Sequence, residues 1–136
     1  MEKRLFFLIH QVHRKLFKEA NRLSEEDVGA PISQMAALLA LRKGAVKVND
    51  IGEALKLNRA ANSELIARME SKGLVTKKRD PNDGRAQIVE STAIGSMMQT
   101  KALPVITGLN DRIRGSFSDE EMIVVGRFLE RLMDEF

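Results

Sequence analysis

The sequence has no cysteine and only two histidines, His10 and His13. The first absence removes disulfides, thiolate metal sites, cysteine nucleophiles and thiol-based redox sensing together. Around the two histidines no carboxylate pattern completes a metal set. There is no Gly-x-Ser-x-Gly elbow and no glycine loop shaped to cradle a phosphate, so no enzyme is expected and nothing calls for a cofactor. No apolar run approaches the roughly 20 residues needed to cross a bilayer. The stretch "LFFLI" at 5–9 runs straight into His10, Gln11, His13, Arg14 and Lys15, which suits neither a signal peptide nor an anchor. A cytoplasmic location is the default expectation.

What is present suits one folded domain of 136 residues, with room for extra helices that a partner would bury. Apolar residues make up 43% and charged residues 30%, which excludes a disordered or fibrous chain. The net charge of +3 is modest but unevenly spread. Cations dominate residues 1–22 (Lys3, Arg4, Arg14, Lys15, Lys18, Arg22), and acids dominate 117–136 (Asp119, Glu120, Glu121, Glu130, Asp134, Glu135). Between Arg68 and Arg79, only Glu70 opposes Arg68, Lys72, Lys77, Lys78 and Arg79. The two ends can satisfy each other; the basic middle needs an outside partner.

Leu5, Leu8, Ile9, Val12, Leu16, Ala20 and Leu23 recur at helical spacing and predict a long amphipathic first helix, its apolar face widened by Phe6, Phe7 and Phe17. "SEEDVGAP" at 24–31 should end it, with Pro31 at the first position of a buried helix that closes at Gly44. "VNDIGEALKL", 48–57, predicts a short helix capped by Asn49 or Asp50. "NRAANSELIARMESKG", 58–73, predicts another, with a polar front turn, Asn58 as its cap, and Leu65, Ile66 and Met69 inward. Two short helices with almost no loop between them are the sequence form of a helix-turn-helix. "PNDG" then supplies turn chemistry between a strand from Leu74 through Lys77, Lys78 and Arg79 and a return strand to Ser91. A helix-turn-helix followed by a hairpin is a winged helix. Beyond Thr92 the chain should be helical but interrupted at Gly95, Pro104, Gly108 and Gly115, with a kink at Pro104. Ser118 and Glu121 form a capping box for the last helix. The fold class expected is mainly α with a small β-hairpin wing.

The stretch "LIARMESKGLVTKKRDPNDGRAQIVEST", 65–92, carries a more specific signal. Glu70, Lys72, Gly73, Leu74 and Val75, then Asp80, Pro81, Asp83 and Arg85, then Thr92 match the pattern of one family in order and spacing. The chain resembles the MarR (multiple-antibiotic-resistance regulator) family of bacterial winged-helix transcription factors over nearly its full length. The resemblance implies a single domain over 1–136, with a winged-helix DNA-binding region at 30–92 and helical dimerisation regions at 1–23 and 93–136. It implies a homodimer on a pseudo-palindromic operator, probing double-stranded DNA with a recognition helix and a wing, and acting as a repressor. It also implies a small phenolic or aromatic effector between the two regions, near His10 and His13.

Arg85 is the leading candidate contact, because a lone guanidinium on a thin hairpin can enter a narrow minor groove. Asp83 is expected to hold it in a fork-shaped ion pair. Lys77, Lys78 and Arg79 are expected to follow phosphates, with Lys77 and Arg79 on one side of the strand. On the recognition helix Arg59, Ala60, Asn62, Ser63, Glu64 and Arg68 complete the DNA-facing set. Leu5, Leu8, Val12, Val125, Leu129 and Leu132 are expected between subunits.

Three positions depart from the family: Glu64 stands where a base is usual, Asn62 where a small branched apolar residue is, and Ala67 where an acid is common. An acid at 64 repels phosphates unless it accepts from a cytosine amino group. The alternative reading is a winged-helix module that binds and titrates another regulator.

Overall fold

Asn58 fixes where the central helix begins. Its side-chain oxygen accepts the backbone N–H of Ala61 at 2.8 Å, satisfying one of the four donors a helix start leaves open. The computed structural model describes residues 2–136, and in it this helix runs from Arg59 to Ser71. It closes with two backbone bonds, Gly73 N–H to Glu70 O at 3.0 Å and Leu74 N–H to Met69 O at 2.9 Å. That is a Schellman closure, and it turns the chain into the hairpin.

In chain order the helices and strands are α1 (Leu5–Leu23), α2 (Ile32–Ala40), β1 (Val46–Lys47), α3 (Val48–Ala54), α4 (Arg59–Ser71), β2 (Val75–Asp80), β3 (Asp83–Ser91), α5 (Ala93–Arg114) and α6 (Asp119–Glu135). The chain divides into a unit ending at Val105 and a second from Ile106 to Phe136. The core of the first gathers Ala37, Leu38 and Leu41 of α2 and its end, Ile51 of α3, Leu65, Ile66 and Met69 of α4, and Leu74, Val75 and Val89 of the sheet. Each fully buried side chain of this kind contributes roughly 1.5–3 kcal/mol, so α4 is held mainly by its inner stripe. The second unit contains α6, which starts with the expected capping box. Ser118 Oγ accepts from Glu121 N–H at 3.1 Å, and Glu121 Oε1 accepts from Ser118 N–H at 3.0 Å.

Several local expectations are corrected. The wing sheet has three strands in the order β1-β3-β2, all antiparallel. Val46 and Lys47 pair with Val89 and Ile88, so the chain enters α3 from a strand. Lys47 is therefore the N-cap, no side chain caps it, and Asn49 and Asp50 lie inside the helix. That helix stops at Ala54, where Lys56 takes a left-handed φ of 56° and Leu57 N–H returns to Gly52 O at 2.9 Å.

The end of α1 is also different: the chain continues as a π-helical turn over Ser24–Val28, with the buried Ser24 hydroxyl donating to Ala30 O at 2.6 Å. Pro31 is the N-cap of α2, and Asn21 Oδ1 takes the Ile32 N–H at 3.0 Å. Helix α5 runs unbroken through Gly95, Pro104 and Gly108, because a missing donor deletes one rung of a 22-residue ladder without ending it. Gly95 serves a close approach: a Cβ there would overlap the carbonyl oxygen of Leu74 and lie 3.3 Å from Leu38 Cδ2. Met35 is buried and Met98 packs on the core, but Met97 is exposed. Among the described residues no helix is long and apolar enough to cross a membrane.

Candidate nucleic-acid interface

The face of α4 turned away from the core carries Arg59, Ala60, Ser63, Glu64, Ala67 and Arg68, all exposed. Asn58 is occupied as the cap, which fixes it as a structural residue. Glu64 Oε1 accepts from Arg68 Nη2 at 2.6 Å, one helical turn apart, with both side chains open to solvent. Such an exposed pair adds about 0.3–0.5 kcal/mol to the helix, so its value lies in where it holds the two charges.

Asn62, expected among the DNA-facing residues, faces the other way. It is 5% exposed and donates Nδ2 to Val48 O at 2.9 Å, tying α4 to the start of α3. Gly52 makes room for it, since a Cβ at Gly52 would come within 2.9 Å of Asn62 Nδ2. Its Oδ1 is buried without a protein partner. The polar residue is tolerated inside because the first turn of α3 offers it an acceptor.

The wing register places Lys77 opposite Val89 and Arg79 opposite Gln87, and Lys78 opposite Ile88. Lys77 and Arg79 thus share the face that carries Val75 and Val89 at the hairpin base, while Lys78 lies on the other face and pairs with Glu90 Oε1 at 2.9 Å. Its charge is partly answered within the chain; among the described residues no ion pair engages Lys77 or Arg79.

At the tip, the acids bind backbone. Asp80 Oδ1 accepts from Asn82 N–H at 2.9 Å, and Asp83 Oδ1 accepts from Arg85 N–H at 3.1 Å. These are Asx turns, which shape the tip locally. The expected fork between Asp83 and the Arg85 guanidinium is therefore not formed; the carboxylate is used on the main chain, and no ion pair among the described residues holds the guanidinium.

A concavity of about 350 Å³ opens between the start of α3 and the wing, lined by Lys47, Val48, Asn49, Arg79, Gly84, Arg85, Ala86 and Gln87. It brings Arg79 and Arg85 together with Lys47, three cations around one cleft. Lys47 and Asn49 were not among the sequence candidates. A two-residue strand has no readable periodicity, and its pairing with β3 is what carries Lys47 to the wing. A second concavity, of about 320 Å³ and mostly apolar, lies between α1, α2 and the end of α3, lined by Phe17, Asn21, Pro31, Ile32, Ser33, Ala36, Leu55 and Leu57. His10 and His13 are both exposed, the His13 ring 6.1 Å from that of Phe17.

A family model described as MarR family matches residues 28–86, from the end of the π-helical turn to the rising edge of β3. The transcriptional regulator HosA of Escherichia coli O111:H- is 28% identical over 127 residues, 92% of this chain and 93% of that protein. Over residues 28–86 the chain is similar to the MarR family. The winged-helix fold is shared with solved transcriptional regulators over nearly the full chain. The PcaV regulator of Streptomyces coelicolor, solved in complex with its natural ligand, is 25% identical with a TM-score of 0.77, covering 96% of this chain and 89% of that one. Sco3205, a MarR family regulator from the same organism solved in complex with DNA, shares the fold at a TM-score of 0.89 and 18% identity, over 98% of this chain and 90% of that one.

Proposed function

We propose that the protein is a homodimeric repressor that binds a pseudo-palindromic operator in double-stranded DNA, with α4 in the major groove and Arg85 in the adjacent minor groove. The observation that carries this reading is the cleft between α3 and the wing, where Lys47, Arg79 and Arg85 converge and no acid lines it. Three exposed cations around one opening raise a local positive potential that draws an anion in, and a duplex backbone supplies anions at the right scale. In this reading residues 30–92 are the DNA-binding region. Arg59, Ala60, Ser63, Glu64, Arg68, Lys77, Lys78 and Arg79 meet the duplex, and Asp83 acts through the tip. The dimer works in the cytoplasm beside the DNA it controls.

The test is Arg85→Ala, with affinity measured by fluorescence anisotropy on a genomic or selected duplex. Loss of a groove-inserted guanidinium should weaken binding by at least about tenfold, on the order of 1–3 kcal/mol, and leave the oligomer unchanged. Binding as tight as that of the parent protein refutes the wing mechanism. Affinity should also fall steeply with salt, because phosphate contacts release counterions.

The dimer rests on unpartnered apolar faces. On α1, Phe6 is 76% exposed and Leu5, Ile9 and Val12 are open; on α6, Ile123 is 67% exposed and Val125, Leu129 and Met133 are open. Faces of this kind on a soluble chain mark an interface. In this reading 1–23 and 93–136 form the dimerisation regions, with Leu5, Leu8, Val12, Val125, Leu129 and Leu132 between subunits. A folded monomer in sedimentation at micromolar concentration overturns it. The apolar concavity beside Phe17 has the volume for one small aromatic effector, and PcaV, which was solved with its ligand bound, is the parallel.

One observation favours a second reading, a protein-contacting module: the carboxylate of Glu64 on the outer face of α4. A salt-independent affinity for DNA, or none, would select it.

A further inference from the structure

The outer stripe of α4 is built from small residues around one charged pair. Ala60, Ser63 and Ala67 stand one turn or less from Glu64, and none of them projects beyond Cβ by more than one atom. Glu64 is the one acid from Arg59 to Arg68. On a helix otherwise suited to a polyanion, a free carboxylate at the centre of the stripe would be repelled by every flanking phosphate. It is not free: Arg68 Nη2 holds Oε1 at 2.6 Å, with side chains 64% and 68% exposed. The pair therefore approaches a duplex as a nearly neutral unit, and the small neighbours let it reach the base edges.

A carboxylate only accepts hydrogen bonds. Guanine shows the major groove two acceptors, and thymine an acceptor and a methyl group; both repel it. Adenine sets its N6 amino donor beside its own N7 acceptor, whereas cytosine itself presents the N4 amino donor and no acceptor of its own. The guanine paired with that cytosine presents O6 and N7 to the remaining N–H groups of an arginine alongside. We propose that Glu64 is the specificity-determining residue of this interface. It reads one cytosine per half-site through N4, with Arg68 as the positioning residue that fixes its carboxylate. The inference rests on the DNA-binding reading above.

The experiment is selection from a random-sequence duplex library with the full-length parent protein and with Glu64→Gln, followed by affinity measurements on single-base variants of the selected site. The parent should return a cytosine at one position of each half-site and lose about 5- to 150-fold in affinity when that base pair is changed. A glutamine amide both donates and accepts, which matches adenine N7 and N6. Glu64→Gln should therefore move that single position from cytosine to adenine and leave the rest of the site unchanged. Arg68→Met, which keeps an unbranched apolar stem and removes the donors, should flatten the cytosine preference at that position; a merely structural arginine would not alter base choice.

If the parent binds duplexes with a steep salt dependence but Glu64→Gln selects the same site, the DNA reading stands and the cytosine inference is overturned. If the parent binds no duplex at all, both fall.

Discussion

Two glycines of α5 should respond to the same substitution with opposite signs. At Gly95 a methyl group would overlap the Leu74 carbonyl oxygen, sit 3.2 Å from the Leu74 carbonyl carbon and 3.3 Å from Leu38 Cδ2. The obstruction is backbone, and it is pinned: Leu74 O accepts from Thr92 N–H at 3.0 Å, and the Thr92 hydroxyl donates to Gly73 O at 2.6 Å. Relief requires moving the start of β2 or the first turn of α5. Overpacking of this kind costs typically 1–3 kcal/mol, and a pinned backbone puts it at the upper end. Alanine returns up to about 1 kcal/mol through helix propensity. Gly95→Ala should therefore lose about 2 kcal/mol.

Gly108 lies in the same helix, and a Cβ added there would meet nothing within 4 Å, so Gly108→Ala should gain about 0.5–1 kcal/mol. Urea denaturation at matched protein concentration reads both, since oligomerisation would otherwise shift the midpoint. If Gly95→Ala is as stable as the parent, the close approach of α5 to Leu74 is refuted.

The turn between α3 and α4 offers a stabilising change: Lys56 holds a left-handed φ of 56°, and Lys56→Gly should raise stability by about 1 kcal/mol in the same titration. Asn62 separates shape from polarity. Asn62→Asp loses the donor to Val48 O and buries a carboxylate beside that carbonyl, so it should cost at least about 3 kcal/mol, whereas Asn62→Leu, which also removes the unpartnered Oδ1, should cost far less; equal losses would contradict the assigned contact. At the start of α6 the Ser118 backbone N–H, then its hydroxyl, hold the Glu121 carboxyl below its usual range. A depressed carboxylate stabilises above the ordinary glutamate range and loses that contribution as pH falls through its folded value. The stability difference between the parent and Glu121→Ala should therefore be constant near neutrality and shrink in acid, measured by thermal melts across pH.

The helices of the first unit were legible because their signals are local. Asn58 before a polar turn and the Leu65, Ile66 and Met69 stripe each act within one or two turns of chain, as do Ser118 and Glu121 in the second unit. What sequence alone did not yield depends on distant partners. The pairing of Val46 with Val89 joins strands far apart in the chain, and without it Asn49 reads as a helix cap. Asn62 reads as outward because it is polar; only the gap above Gly52 and the carbonyl of Val48 make an inward position tolerable. Arg85 and Asp83 are close enough in sequence to suggest a side-chain pair, but a main-chain amide two residues on is the nearer donor and costs less side-chain entropy to reach.

The use of Asp80 and Asp83 on main-chain amides separates the contour of the hairpin apex from its electric field. An asparagine at either position would retain the accepting oxygen while discarding a negative charge. A lineage can thus retune how strongly the apex pulls on a polyanion, one neutral amide at a time, without redrawing the loop that aims it.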